Sequence, residues 1–539
     1  MKKNDTCTIR IDDINSDGNG IGRADGYVLF VKDAVPGDVC RVRVTKTKKS
    51  FGYARLLDII SPSPDRVPAG CPVARACGGC RLQEISYERQ LAFKEEKVKN
   101  DFLRIGGIDP EKVRPVIGME NPFRYRNKAQ IPVGFDGNGN IIAGFYASRT
   151  HSIIRNDDCL LGPPENRRIT EIVIDHMNKN GIMPYDEKSD GGLVRHILIR
   201  KAFSTGAIMV CVIINGESLP GAEALAEGLF EIPGMSTVSI NINTQRNNVI
   251  LGERTINVRG DGVITDMIGD IRFEISPRSF YQVNSEGTKK LYETAREYAQ
   301  LSGNEIVWDL YCGIGTISLF VAGGAREVYG IECVPDAVED AKKNARLNGV
   351  SNVRFICADA EKIRPGQLPR PDVVIVDPPR KGCGESLLDV IAQAGPERIV
   401  YVSCDPATLS RDLSILCRSG YEVVEAQPVD MFPQTVHVET VILLSQRKAD
   451  VYVEVDLELS DLDLTSAETK ATYEEIKAYI KEKYDLNVSN LYIAQIKEEC
   501  GILERENYNL PKGEDGKKPY CPIVKRDAIL DAFEHFKMI

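Results

Sequence analysis

The strongest constraint on the fold is a regular alternation of apolar runs with helical segments in the second half of the chain. Seven runs of strand length recur, at residues 305–310, 328–331, 353–359, 373–377, 399–404, 422–427 and 439–445. A Gly-rich turn with Gly313 and Gly315 follows the first run, and the second run ends at Glu332. Strands that alternate with helices build a mainly parallel sheet. The order strand, glycine turn, helix, strand and acid predicts a nucleotide-binding βαβ unit within this sheet.

The glycine turn favours one class of nucleotide-like ligand. A dinucleotide-binding dehydrogenase needs a third glycine, but Ser318 stands at that position. Asp309, shortly before the first glycine, is more typical of enzymes that bind S-adenosylmethionine. Seven strands that end in an antiparallel hairpin resemble the Rossmann-like α/β sheet of class I methyltransferases.

Three side chains stand where predicted strands meet loops, and each could carry chemistry. Asp377 and Cys404 end their apolar runs, and Glu439 directly precedes the last one. Ligands of open parallel sheets bind at the carboxyl ends of the strands, so we expect these residues to face one crevice. A thiol beside carboxylates suits covalent catalysis. A lone cysteine is more often a buried apolar residue, and Glu439 alone would fit an exposed strand end equally well.

A second chemical signal lies near the end of the first hundred residues. Cys71, Cys77 and Cys80 occur within ten residues, and Gly78 and Gly79 allow the chain to wrap tightly. Thiolates hold either zinc or iron–sulfur clusters. Zinc sites usually combine two short spacings, and only one is present here, which favours a cluster with a distant fourth ligand. Cys159 is the best candidate for that ligand.

The N-terminal segment predicts a small β-barrel. Residues 1–60 contain β-rich runs separated by turn residues, as in five-stranded barrels that bind oligonucleotides. Basic residues cluster with two aromatic ones near its end, at Arg41, Arg43, Lys46, Lys48, Lys49, Phe51, Tyr53 and Arg55. This mixture suits single-stranded nucleic acid, although a solvated charge run on a hairpin would look the same. The segment resembles an RNA-binding TRAM domain in residues 20–23 and 35–38.

Length and composition indicate a multidomain intracellular protein. A chain of 539 residues favours three or four domains, and we place them at residues 1–60, 61–275, 276–447 and 448–539. The second is predicted as an α+β domain that carries the cysteines. The sequence lacks an apolar run of about 18 residues and an N-terminal apolar signal region, so we expect no membrane association and a cytoplasmic location. The net charge of −10 argues mildly against nucleic-acid binding, but a whole-chain sum says little about a local patch.

The last segment carries no readable function. Residues 450–468 contain acids and no lysine or arginine, and amphipathic patterns predict helices over 473–484 and 523–536. A small, mainly helical extension could serve as a spacer, a docking module or an RNA contact. We expect the whole chain to be a monomer.

Residues 1–447 resemble the RNA uracil-5-methyltransferases, and among them the type that acts on 23S rRNA. The resemblance rests on the TRAM-like barrel, the cysteine set and five motifs, at residues 280–284, 309–315, 377–380, 403–406 and 437–439. It implies that Cys404 is the nucleophile and Glu439 the base. It also implies an S-adenosylmethionine site formed by Gln282, Tyr311, Glu332 and Asp377, and a 4Fe–4S cluster held by Cys71, Cys77, Cys80 and Cys159. Two positions depart from the common pattern, Asp405 for asparagine and Tyr311 for phenylalanine.

The chemistry implied by the resemblance requires one thiol and one base. Carbon C5 of uracil is a weak nucleophile, and addition of a thiolate at C6 turns the ring into an enolate that is reactive at C5. A base must then remove the C5 proton before the thiol leaves. Three other functions compete with this one: methylation of tRNA, RNA binding without catalysis, and RNA methylthiolation. The last would need a radical-cluster motif that the sequence lacks.

Overall fold

The computed structural model describes residues 1–364, 366–447, 472–500 and 522–536. The chain divides into two compact units, Met1–Lys448 and Ala449–Ile539. None of the helices within those described ranges has the length and apolar character needed to cross a bilayer. The domain boundaries that we placed at residues 60 and 275 stay predictions.

The N-terminal segment forms the expected five-stranded closed barrel, in the order β1-β2-β3-β5-β4. Its strands are β1 (Thr6–Ile14), β2 (Gly20–Ala24), β3 (Tyr27–Lys32), β4 (Val39–Thr47) and β5 (Phe51–Ser61). Side chains of β1 and β4 alternate between buried and exposed, as one-sided burial requires. Gly22 is needed because a Cβ there would lie 2.4 Å from the Arg10 carbonyl oxygen. The TRAM-like barrel prediction is therefore confirmed.

A cysteine-rich segment and one helix connect the barrel to the central sheet. Ser86 caps helix α1 (Tyr87–Asp101) by accepting a hydrogen bond from the Arg89 N–H. The helix continues into a π-helical turn, Phe102–Gly106, and a 3₁₀ turn follows at Pro110–Lys112. The buried side chains of this helix include Gln90 and Lys94 as well as apolar residues. Buried polar groups need partners, and both of these find theirs in the C-terminal half of the first unit.

The central region has an α+β fold. Its sheet has seven strands, in the order β12-β11-β10-β9-β6-β7-β8. The strands are β6 (Lys128–Phe135), β7 (Ile141–Tyr146), β8 (Ile153–Arg155), β9 (Val194–Lys201), β10 (Ile208–Ile214), β11 (Met235–Ile242) and β12 (Arg254–Arg259). Helices α2 (Glu165–Lys179) and α3 (Ala222–Leu229) belong to the same apolar core. A separate hairpin of β13 (Ile264–Ile268) and β14 (Ile271–Ile275) precedes helix α4 (Ser285–Ala299).

The third region is the predicted Rossmann-like sheet, in the order β17-β16-β15-β18-β19-β21-β20. Its strands are β15 (Ile306–Leu310), β16 (Glu327–Glu332), β17 (Val353–Cys357), β18 (Val373–Val376), β19 (Arg398–Ser403), β20 (Tyr421–Val429) and β21 (Glu439–Gln446). Helices α5 (Thr316–Ala322), α6 (Pro335–Leu347), α7 (Glu385–Ala394) and α8 (Pro406–Arg418) connect them. Apolar cores cover both faces, which explains the continuous apolar runs of the inner strands.

The second unit, Ala449–Ile539, contains a small helical core of its own. Its described helices are α9 (Tyr473–Tyr484), α10 (Asn490–Glu499) and α11 (Ile523–His535). Ile476, Ile480, Ile493, Ile529 and Phe533 are fully buried in that core. The two predicted helices are confirmed. The acidic stretch 450–468 lies outside the described residues.

Candidate active site and cysteine cavity

The register of two antiparallel strands brings Cys404 and Glu439 together. Ser403, at the end of β19, pairs with Thr440 of β21. Continued by one residue, this register sets Cys404 opposite Glu439, and the electrostatic effect of Glu439 on the Cys404 thiol shows that the two are close. Asp377 follows β18, the other neighbour of β19. The structure thus gathers all three sequence-predicted residues at one end of the sheet.

Burial and like charges keep the two predicted catalytic groups protonated. Burial is the main cause that raises the pKa of Glu439 to about 8, and the nearby Asp377 carboxylate adds to the effect. Burial is also the main cause that raises the pKa of the Cys404 thiol to about 11, and the nearby Glu439 carboxylate adds to it. Arg380 opposes both shifts, because its guanidinium stabilises either anion. The site therefore contains a cation that favours ionisation of both Cys404 and Glu439.

Asp405 is one of the two departures from the family pattern. Its structural role explains why aspartate can stand there in place of asparagine. Its side chain caps α8 by accepting hydrogen bonds from the backbone N–H groups of Ala407 and Thr408, at 3.0 and 3.2 Å. Asparagine is an equally good N-cap residue. The exchange therefore preserves the turn that presents Cys404.

Three of the four residues predicted to hold S-adenosylmethionine line one cavity. Gln282, Tyr311 and Asp377 face this space together with Gly313 and the first residues of α5. Tyr311 takes a left-handed backbone conformation with φ of +67°, and its hydroxyl donates to Glu361 at 2.8 Å. Burial raises the pKa of Asp377 to about 7.

The fourth residue, Glu332, holds the glycine turn in place. It ends β16, and its carboxylate accepts hydrogen bonds from the backbone N–H groups of Gly313 at 3.1 Å and Val334 at 2.8 Å. It does not itself line the cavity, although it touches the turn that does. The glycine turn and the acid are thus coupled, as the sequence pattern indicates.

The sequence analysis gave no structural role to two residues of this region, Ser318 and Arg380. Ser318 stands where a dehydrogenase would have glycine, and its hydroxyl donates to the buried Asp309 at 2.5 Å. Arg380 was visible only as part of its motif, although its position shortly after Asp377, which follows β18, placed a cation at the same edge. Its influence on Cys404 and Glu439 required knowledge of the strand pairing.

The four predicted ligand cysteines also meet in space. Cys71, Cys77, Cys80 and Cys159 line one cavity of about 360 Å³. Among the described residues, no group of three or more histidine, cysteine or acidic side chains is arranged to hold a single metal ion. Arg126 and Lys128 line the same cavity, and within the described ranges neither forms an ion pair. The cavity thus combines four thiols with two basic side chains.

The barrel presents a cluster of aromatic side chains beside its basic residues. The rings of Phe30, Phe51 and Tyr53 lie 5.5 to 5.9 Å apart between centroids, and all three are partly exposed. Lys46 and Lys48 nearby are exposed. Aromatic faces with neighbouring cations form a surface of the kind that binds single-stranded nucleic acid.

Comparison with known proteins agrees with this geometry. The family model for tRNA (uracil-5-)-methyltransferase matches residues 370–447, that for the TRAM domain matches 2–57, and that for the TRM5/TYW2 methyltransferase domain matches 271–395. An uncharacterized RNA methyltransferase of Halalkalibacterium halodurans is 50% identical over 448 residues, which cover 82% of this chain and 98% of that protein. A second, from Clostridium acetobutylicum, is 48% identical over 452 residues, or 83% and 98% of the two chains.

A solved structure has a similar fold over most of this chain. It is the crystal structure of Pyrococcus abyssi tRNA (uracil-54, C5)-methyltransferase in complex with S-adenosyl-L-homocysteine. The two proteins share 29% identity, with 81% of this chain and 100% of that chain covered and a TM-score of 0.67. The motifs, the fold and these relatives all indicate the same family. The chain belongs to the S-adenosylmethionine-dependent RNA uracil-5-methyltransferase family and is an RNA methyltransferase.

Proposed function

We propose that this enzyme methylates C5 of a uridine in 23S rRNA through a covalent bond between Cys404 and C6 of the base. The observation that carries the proposal is the placement of Cys404 opposite Glu439, at the sheet end that also bears Asp377. A nucleophile and a base that face one substrate ring are the two groups that the reaction needs.

The reaction starts at Cys404. Cys404 first gives up its proton to solvent, and the resulting thiolate adds to C6 of uracil, which places electron density on C5. S-adenosylmethionine, when bound, supplies the electrophilic methyl group that C5 takes. Glu439 then accepts the C5 proton, the C5–C6 double bond forms again, and the electron pair of the C6–sulfur bond returns to Cys404. The Cys404 thiolate then regains a proton, and Glu439 must lose the proton that it accepted before the next cycle.

Residues around the glycine turn fit the cofactor. Gln282, Tyr311 and Asp377 would hold it within the cavity, and Glu332 keeps the turn in shape through the N–H of Gly313. Gly315 has a φ of +80°, and a Cβ at this position would lie 2.6 Å from the Phe355 ring, so a side chain is excluded there. A close backbone approach to the cofactor is the usual role of such glycines.

The RNA must offer an unstacked base. Cys404 and Glu439 lie at the end of a sheet, and Glu439 is only 6% exposed, so a uridine within a duplex could not reach both. The aromatic and basic face of the barrel would hold single-stranded RNA next to the target. We favour 23S rRNA because the barrel and the cysteine set belong to the rRNA type that the sequence resembles. The tRNA specificity of the Pyrococcus abyssi protein provides the second candidate substrate.

We also propose that the four cysteines hold a 4Fe–4S cluster. The cavity that they line has a volume of about 360 Å³, far larger than one ion needs. Four thiolates around an iron–sulfur core leave a net negative charge, which Arg126 and Lys128 would balance. When bound, the cluster would tie the segment of Cys71, Cys77 and Cys80 to Cys159. It takes no part in methyl transfer, which needs only the thiol and the base.

The substrate proposal predicts which RNA loses its methyl group. In a strain that lacks this protein, 23S rRNA should lack one or more 5-methyluridines that the parent strain contains, and the tRNA should be unchanged. Mass mapping of both RNAs measures this, and expression of the Cys404→Ala variant serves as the control because it should not restore the modification. Loss of 5-methyluridine from tRNA alone would assign the enzyme to tRNA.

The mechanism predicts a trapped intermediate for Glu439→Gln. Cys404 should still add and C5 should still take the methyl group, but the C5 proton cannot leave, so the thiol cannot be eliminated. Methylated RNA should therefore remain attached to the protein, and a denaturing gel with methyl-labelled cofactor should show it. Cys404→Ala should show neither adduct nor product while binding S-adenosylmethionine normally. Normal turnover by Glu439→Gln would contradict the assigned base.

The charge balance predicts a pH shift for Arg380→Gln. Glu439 works only when ionised, and its pKa of about 8 means that the ionised fraction, and hence the rate, rises with pH through that value. Removal of Arg380 raises the pKa of both Glu439 and Cys404, so the rate profile should move to higher pH. The variant should lose activity at pH 7 and regain much of it at high pH in single-turnover assays. Lys381→Gln, which removes the adjacent cation, should leave the profile unchanged.

The cluster proposal predicts iron in anaerobically purified protein. The sample should be brown and contain about four irons per chain, the number in this type of cluster. Cys159→Ala should lose most of the iron, whereas Cys417→Ala, which removes a thiol on α8, should retain it. Metal analysis that finds stoichiometric zinc and no iron would refute the cluster.

A further inference from the structure

The loop that leads into Glu439 is held by parts of the chain outside its own sheet. We call residues 430–438, between β20 and β21, the base loop. Among the residues that the structure describes, no side chain donates a hydrogen bond to the Glu439 carboxyl. The position of this carboxyl therefore depends on the backbone of β21 and of the base loop.

Gln434 is the most constrained residue of the base loop. It is only 3% exposed and has a φ of +68°, which non-glycine residues seldom adopt. Its backbone N–H donates to Oε1 of Gln90 at 3.1 Å, and its own Oε1 accepts from Nε2 of Gln90 at 3.0 Å. Gln90 lies on α1 and is 1% exposed. A reciprocal pair of buried hydrogen bonds thus fixes an unusual backbone conformation in the loop.

The same residue is bonded to the segment that carries the cysteines. The backbone N–H groups of Arg81 and Leu82 both donate to the Gln434 carbonyl oxygen, at 2.8 and 3.1 Å. Arg81 directly follows Cys80. Nε2 of Gln90 also donates to the Leu82 carbonyl oxygen at 3.0 Å. A movement of Cys80 would therefore reach Gln434 through adjacent backbone bonds.

A buried ion pair anchors the start of the base loop to the same helix. Lys94 Nζ lies 2.5 Å from Oδ1 of Asp430, and both side chains are fully buried. The same ammonium donates to the Phe432 carbonyl oxygen at 3.1 Å. The hydroxyl of Tyr125 donates to the Pro433 carbonyl oxygen at 3.0 Å. The contacts on Gln434 are thus the last of these external bonds before the chain reaches Glu439.

We propose that Gln434 and Gln90 are positioning residues for Glu439 and that they couple the cysteine cavity to removal of the C5 proton. This inference rests on the proposed roles of Cys404 and Glu439. When the Gln90–Gln434 pair is intact, the base loop holds the carboxyl where it meets the C5 proton. When the pair or the cysteine segment is disturbed, Cys404 still adds and C5 still takes the methyl group, but proton removal slows.

The test uses Gln90→Ala in the full chain and RNA with deuterium at C5 of the target uridine. Turnover should fall about tenfold to a hundredfold, the range expected when a catalytic group is misplaced by about an ångström. The KM for RNA should not rise, because binding and addition precede the slowed step. The isotope effect on kcat should rise, or the fraction of protein trapped as methylated adduct should increase, because proton removal has become the slow step. Neither change arises if the variant merely contains less folded enzyme.

Two variants separate this role from general damage. Gln434→Gly accepts the positive φ but lacks the amide side chain, so it should behave like Gln90→Ala even if the latter folds poorly. Gln427→Ala removes a side-chain amide that donates to the Pro115 carbonyl oxygen from β20, and it should match the parent enzyme. Unchanged turnover in Gln90→Ala, or lower turnover with neither a larger isotope effect nor more adduct, would overturn the proposal.

The outcome for Glu439→Gln distinguishes a failure of this inference from a failure of the proposed function. If Glu439→Gln forms the trapped adduct but Gln90→Ala and Gln434→Gly do not alter proton removal, only the coupling is wrong. If Glu439→Gln turns over normally, the assigned base is wrong as well. The cavity is tested in the same assay: Cys80→Ala should show the isotope effect of Gln90→Ala, and an unchanged effect would exclude the cysteine cavity from the coupling.

Discussion

The geometry of the active site depends on the antiparallel pairing of β21 with β19. In a purely parallel sheet, the first residue of a strand lies at the edge opposite to the ligand-binding end. Because β21 runs in the opposite direction, its first residue, Glu439, lies beside the end of β19, where Cys404 follows. Pairing of Val429 with Glu439 fixes the register from the other side. A slip by one residue would turn either side chain to the other face of the sheet.

The same arrangement brings acidic groups together and raises their pKa values, and Arg380 partly offsets this rise. Two carboxyl groups and a thiol lie close together and are largely buried, so ionisation of each one disfavours ionisation of the others. Arg380 is a cation that favours the ionised forms of Cys404 and Glu439. The binding of uracil would complete this balance, since addition of the thiolate moves the negative charge from sulfur into the ring.

Sequence analysis identified the features that depend on local pattern. The barrel, the strands of the large sheet, the glycine turn and the gathering of Cys71, Cys77, Cys80 and Cys159 were all predicted, because apolar period, turn residues and short spacings act over a few residues. The Gln90–Gln434 pair and the Lys94–Asp430 ion pair were not predicted. Their partners lie hundreds of residues apart, and a single sequence carries no signal for such contacts.

The net charge of the whole chain says little about the unit that carries the barrel. Residues 449–539 contain 20 acidic and 12 basic residues, so that segment accounts for most of the net charge of −10. The unit that carries the barrel and the proposed catalytic residues is close to neutral. The relatives cover 82 to 83% of the chain, a length that matches this unit alone. Net charge is informative about nucleic-acid binding only within the unit that binds.

The raised pKa of Cys404 has a consequence for the survival of the enzyme between turnovers. A sulfonium compound is an alkylating agent, and a permanently ionised thiol in the same crevice would be a target for it. With a pKa of about 11, the Cys404 sulfur carries its proton almost all of the time at neutral pH and is a poor nucleophile. In the proposed mechanism this protonated state protects the resting protein from methylating itself, and it requires that the thiol be activated anew for each uridine.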